Sequence, residues 1–194
     1  MNRIIGIIVS TVIILFSTVS FAFAEELHWG FKKATDGNQI EISSELETML
    51  AKYDAIYRGD PQAKTIYLTF DNGYENGFTE RILDALKEED VPATFFLTGH
   101  YVTSASDLVK RMVKDGHIIG NHSDKHPNMA RLSEAQMLTE WQNFDKKLKE
   151  VTGIERTYYT RPPEGVYNEA LLAAGVKNDY RHIFWSIAFK DWEK

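Results

Sequence analysis

The chain has 194 residues, 43% of them apolar and 26% charged, with a formal net charge of −6 and no cysteine. That length supports one domain with a sizeable core, and the acidic balance excludes the basic face a nucleic-acid partner would favour. Without cysteine there can be no disulfides, so stability must come from apolar packing.

In chain order, the first segment is a leader. Arg3 is the only charge before Glu25, an apolar stretch follows it, and Ala22-Phe23-Ala24 forms an A-x-A cleavage pattern. This is the pattern of a secretory signal peptide over residues 1–24. An uncleaved anchor remains open, because Ile4 to Ala24 approaches the ~20 apolar residues that span a bilayer. Either reading exports the remainder.

Residues 25–64 form a polar, weakly patterned extension. Within it, Leu46, Met49, Leu50 and Tyr53 share one helical face, so Ser43–Tyr57 predicts a short helix. Arg58–Gln62 reads as a turn. From residue 65 the pattern alternates between strand and helix. Thr65–Phe70 predicts a buried strand. Phe78, Ile82, Leu83 and Leu86 mark a helix, and Ala93–Gly99 a second strand. Leu108, Met112 and Val113 predict a helix stopping at Gly116, and His117–Asn121 a third strand. Ser133 with Gln136 makes a capping box. It opens a helix carrying Met137, Trp141, Phe144, Leu148 and Val151, stopped by Gly153. Arg156–Thr160 predicts a strand, Asn168–Ala174 a helix, and His182–Ile187 a fifth strand. Tyr67, Phe95, Phe96 and Trp141 are candidate core residues, and His28, His100, His117 and His182 read as structural.

Repeated β-α units with crossover helices predict a parallel sheet. Five strands are too few to close a β/α barrel, so the expected α/β fold is an open sheet or an incomplete barrel. Chemistry in such folds gathers at the carboxyl ends of the strands. The first strand ends in Asp71-Asn72-Gly73, the third in His122-Ser-Asp-Lys-His126-Pro127, the fourth in Arg161-Pro-Pro-Glu164-Gly165, and the fifth in Asp191-Trp192. Asn-Gly is a strong hairpin signal, but the helical stripe after Gly77 leaves no second strand for a hairpin. Pro127 disfavours helix at His126, which places the two imidazoles on a turn or loop. Together the four ends supply the side chains of a metal-dependent hydrolase.

The segments "TFDNG", "HSDKHP", "RPPEG" and "KDW", in this order over residues 65–192, resemble the motifs of the polysaccharide deacetylases, carbohydrate esterase family 4. With "HWGFKK" and "TFFLTGHY", the variant "TFDNGYENG" is most similar to the branch of secreted de-N-acetylases acting on N-acetylmuramic acid of peptidoglycan, where muramic δ-lactam then forms in the spore cortex. The resemblance implies a deformed β/α barrel over 65–194 and a divalent metal ion, zinc, as cofactor. It implies Asp71 as general base, Asn72, His122 and His126 as metal ligands, Arg161 as the group orienting Asp71, and Asp191 as the group holding Arg161. It further implies the N–H near Glu164 and Gly165 as an oxyanion donor, and Trp192 as a wall of the sugar pocket. Most of the family has a second Asp where this chain has Asn72, and many members have an Asp at the position of Ala188. The chain ends at Lys194 before the Leu-x-His stretch that carries the family's general acid, so the expectation for this polypeptide by itself is weak activity. The expected partner is a glycan, with no nucleic acid, membrane contact only through an uncleaved leader, and a monomeric state. A glycan-binding protein with an impaired site, and a deacetylase of chitin oligomers, are the competing readings.

Overall fold

The computed structural model describes residues 25–30 and 38–189. The predicted leader, Asp191 and Trp192 lie outside the described residues. Seven strands and six α-helices follow in the order β1 (Leu27–His28), α1 (Ser44–Lys52), β2 (Thr69–Asn72), α2 (Thr79–Glu88), β3 (Thr94–Leu97), α3 (Gly99–Ser104), α4 (Ser106–Lys114), β4 (Ile118–Asn121), α5 (Glu134–Thr152), β5 (Tyr159–Thr160), β6 (Val166–Tyr167), α6 (Glu169–Lys177) and β7 (Arg181–His182).

Five strands build one parallel sheet in the order β2-β3-β4-β5-β7. The register aligns Asn72 with Leu97, Leu97 with Asn121, Asn121 with Thr160, and Thr160 with His182. The strand ends therefore form one row, and residues 71–72, 122, and 161 emerge along a single edge. Among the described residues the sheet is open, with β2 and β7 at its margins. An unanticipated two-stranded antiparallel ribbon pairs β1 with β6.

Strand alternation sorts the core. Phe95 and Leu97 pack with Leu83, Val109, Met112, Phe144 and Leu148 beneath α2, α4 and α5. A second cluster joins Trp29, Leu50, Met137, Trp141, Tyr167, Leu171 and Phe184. The long helix α5 serves both clusters. It begins with the predicted capping box and ends at Gly153 in the left-handed conformation, φ 80.

The predicted first and fifth strands need correction. Thr65 to Tyr67 are exposed, Tyr67 at 73%, so Tyr67 is not a core residue. The reason is position: β2 is an edge strand, and residues 65–68 run ahead of Thr94, the first residue of its neighbour β3. Only the Leu68 carbonyl reaches across, to the Thr94 N–H. At the other margin β7 ends at His182. The next two carbonyls, of Ile183 and Phe184, leave the ladder for the Arg161 guanidinium, and Ile187 is exposed. The helix predicted to stop at Gly116 is two helices, broken at Ala105.

His182 is 1% exposed between Trp141 and Gly175, and neither ring nitrogen has a hydrogen-bond partner. Burial lowers its pKa to about 3. The unfolded ring takes up a proton near pH ~6.5, so the folded state has its full stability above that pH and loses it as pH falls toward 3. Thermal unfolding followed from about pH 7 to about pH 4.5 should show a falling midpoint, and His182→Leu should shrink that fall. His122, depressed in the same direction, keeps the variant from abolishing it. An unchanged fall in the variant contradicts the assignment.

Candidate active site

Arg161 organises the strand-end row. It follows β5, is 3% exposed, and cannot shed its proton, so its guanidinium must find acceptors. Nε donates to the Ile183 carbonyl at 3.0 Å and Nη2 to the Phe184 carbonyl at 3.2 Å. Nη1 donates to Thr69 Oγ1 at 3.0 Å and to Asp71 Oδ1 at 2.6 Å. One face of the cation lies over the Phe96 ring, 4.2 Å from its centroid. Phe96 has room to lie there because residue 120 is glycine: a Cβ at that position would come within 2.4 Å of the Phe96 ring. Asp71, at 36% side-chain exposure, faces both solvent and the buried cation.

The second donor group comes from the loop after β4. The His122 N–H donates to the Leu97 carbonyl. Its Nδ1 lies 2.8 Å from the Arg161 carbonyl. A carbonyl only accepts, so Nδ1 carries the proton and Nε2 keeps its lone pair. Burial pushes the His122 pKa down, opposed by the charge of Asp71 and aided by His126 and Arg161, which keeps the ring neutral. The His126 ring stands edge-on to it, with centroids 4.9 Å apart. Ser123 and His126 adopt left-handed backbone, φ 67 and 57, which is costly for non-glycine residues. The loop is held there by several bonds. Asn121 Oδ1 accepts from Ser123 N, Ser123 Oγ from His126 N, and Glu140 from Lys125 N, while Asp124 pairs with Lys147 at 2.5 Å.

Asn72 is the third potential ligand. Its Oδ1 is buried without a hydrogen-bond partner, an arrangement that costs free energy unless another group meets it. An unmatched amide oxygen and two imidazoles, one with a lone pair freed by its second-shell bond, suit a divalent ion. No group of three His, Cys, Asp or Glu side chains fit to hold a metal occurs among the described residues, because one member of this set is an amide.

The turn after Arg161 carries Glu164 and Gly165 in left-handed backbone, φ 58 and 67. The Gly165 N–H donates to the Pro162 carbonyl at 3.1 Å, so the N–H offered to an anion is that of exposed Glu164. Asp191 and Trp192 lie outside the described residues. The duty expected of Asp191, holding Arg161, is carried here by Thr69 and the Ile183 and Phe184 carbonyls. Backbone acceptors leave no mark in a sequence, and a threonine inside a strand reads as β-propensity alone.

With the site described, comparison with known proteins decides the family. The polysaccharide deacetylase profile matches residues 58–183. The chain belongs to the polysaccharide deacetylase family. It is 43% identical over 169 residues to the peptidoglycan-N-acetylmuramic acid deacetylase PdaA of Bacillus subtilis, covering 87% of this chain and 64% of that protein. The structure of PdaA, a family 4 carbohydrate esterase, superposes with a TM-score of 0.84 over 87% of this chain and 72% of that one. A family 4 carbohydrate esterase from Bacillus anthracis, also 43% identical, gives a TM-score of 0.78 over 87% and 77%. This polysaccharide deacetylase chain thus spans about two thirds of the length of PdaA.

An ion held by Asn72, His122 and His126 keeps its whole charge, because no ligand is anionic. Replacing the amide by a carboxylate should tighten it. In titration calorimetry with zinc, Asn72→Asp should bind at least about tenfold more tightly than the parent, equivalent to ~1.4 kcal/mol. Equal or weaker binding contradicts Asn72 as a ligand.

Proposed function

We propose that this chain is the hydrolytic part of a metal-dependent N-deacetylase acting on peptidoglycan, with the acetamide of N-acetylmuramic acid as substrate. The observation that carries the reading is the 2.6 Å pair of Asp71 with buried Arg161, set beside a neutral, buried His122 and the unmatched oxygen of Asn72. The similarity to PdaA, named as a peptidoglycan-N-acetylmuramic acid deacetylase, selects the sugar.

An acetamide is a poor electrophile and water a poor nucleophile. Asn72, His122 and His126 hold a divalent ion, zinc in this reading, which when bound polarises the carbonyl and acidifies water. Asp71 is the general base and takes the proton of the attacking water on its carboxylate. Arg161 keeps that carboxylate ionised and fixes its direction through the Nη1 bond. The Glu164 N–H stands ready for the oxygen that gains charge as the tetrahedral intermediate forms. Buried Phe96 and the Ile183 and Phe184 carbonyls prevent the guanidinium from swinging away.

The same reading places the protein outside the cytoplasm, exported by residues 1–24, where the deacetylated muramic acid can close to a δ-lactam in the spore cortex. It acts as a monomer on its glycan.

The test uses acetylated peptidoglycan fragments and acetate release. Asp71→Asn should lower kcat by about 10²–10⁴-fold while zinc affinity stays within about threefold, because Asp71 is the base and not a ligand. Chelation should abolish acetate release, and added zinc should restore it. Full turnover in Asp71→Asn contradicts the proposal. Turnover on chitin oligomers alone would move the substrate assignment to another glycan.

A further inference from the structure

The segment ahead of the family match is tied to the site. The match begins at residue 58, yet Leu27 and His28 pair with Tyr167 and Val166 just beyond the Glu164–Gly165 turn. The next residue, Trp29, is buried and touches two parts of the catalytic edge at once. Its backbone N–H donates to the Gly165 carbonyl at 2.9 Å, and its indole Nε1 donates to the Trp185 carbonyl at 2.9 Å. Its ring packs against Phe184 at 4.8 Å and Tyr57 at 5.4 Å between centroids. The fit is tight: a Cβ on Gly165 would lie 3.1 Å from the Trp29 carbonyl oxygen and 2.7 Å from the Trp185 ring.

These contacts converge on the groups whose placement matters. Gly165 closes the left-handed pair that presents the Glu164 N–H. Phe184, under the Trp29 ring, supplies the carbonyl that receives Arg161 Nη2, and the Trp185 ring lies 5.6 Å from the Arg161 cation. A tryptophan donating from its backbone to one segment and from its side chain to the other fixes their separation, which apolar filling alone does not do.

We propose that Trp29 is a positioning residue: the β1 segment clamps the Glu164–Gly165 turn to the Phe184–Trp185 segment, and so sets the direction of the Glu164 N–H and of the Arg161 guanidinium. Its consequence for turnover rests on the deacetylase reading, and its consequence for local structure does not.

The experiment compares Trp29→Ala and Trp29→Phe in the whole chain by hydrogen exchange, zinc titration and acetate-release kinetics. Trp29→Ala should speed exchange in residues 160–167 and 183–186 and leave 118–126 unchanged. Zinc affinity should stay within about threefold, and kcat should fall about 10- to 100-fold with KM little changed. Trp29→Phe keeps the backbone bond and the ring but loses the indole donor, so it should loosen 183–186 and keep 160–167 protected. Unchanged exchange at both segments, or faster exchange spread evenly over the chain, overturns the proposal. If the parent chain releases no acetate, the deacetylase reading fails while the exchange results still decide the role of Trp29. If Trp29→Ala does not fold, Trp29→Phe carries the test, and no local change at 183–186 overturns it.

Discussion

A permanent positive charge buried behind a carboxylate is the constraint on which the rest of this structure depends. Arg161 is almost wholly removed from water, where an unmatched cation would be prohibitive. Its acceptors come from four places in the sequence: Thr69, Asp71, Ile183 and Phe184. Satisfying it requires β2, β5 and the chain after β7 to meet at one point. That requirement explains why the last strand is cut short, since carbonyls turned toward a guanidinium cannot also extend a ladder. It also makes the orientation of Asp71 a consequence of the fold rather than of the side chain's own preferences.

The second constraint is the register of the sheet. Pairing Asn72 with Leu97, Leu97 with Asn121 and Asn121 with Thr160 delivers the Asp-Asn pair, the two histidines and the arginine to one edge. Asn121 joins the two halves. Its carbonyl accepts from the Arg161 N–H and its Oδ1 from the Ser123 N–H. Behind it, buried Asp145 gathers Thr157 and the Tyr180 hydroxyl. The loop bearing His122 and His126 therefore holds two strained residues against a well-bonded polar base. Strain of this kind persists only where the surroundings over-determine it, and here they do.

Much of this was legible in the sequence. Alternating strand and helix patterns gave the parallel sheet, Ser133 with Gln136 gave the start of α5, and the polar residues at the strand ends gave the site. The places where the reading failed share a cause. Ile66 and Tyr67 have strand propensity, but an edge strand running ahead of its neighbour has nothing to bury them. The residues after His182 look like strand, but their carbonyls serve Arg161. The β1–β6 ribbon rests on two residues per strand, too short for any periodic signal, and Trp29 reads as one more apolar residue until its two donors are seen. Local pattern carries propensity and spacing, whereas edges, backbone acceptors and long-range bonds belong to the assembled fold.

The account stands on convergence: one amide oxygen and two imidazole nitrogens sharing a single ion beside Asp71. X-ray absorption at the zinc edge of the loaded protein measures this directly. The account predicts a shell of mixed nitrogen and oxygen neighbours with the multiple-scattering signature of two imidazoles. Loss of one imidazole should follow in each of His122→Ala and His126→Ala. A shell of oxygen alone, or an imidazole signature indifferent to both substitutions, would contradict it.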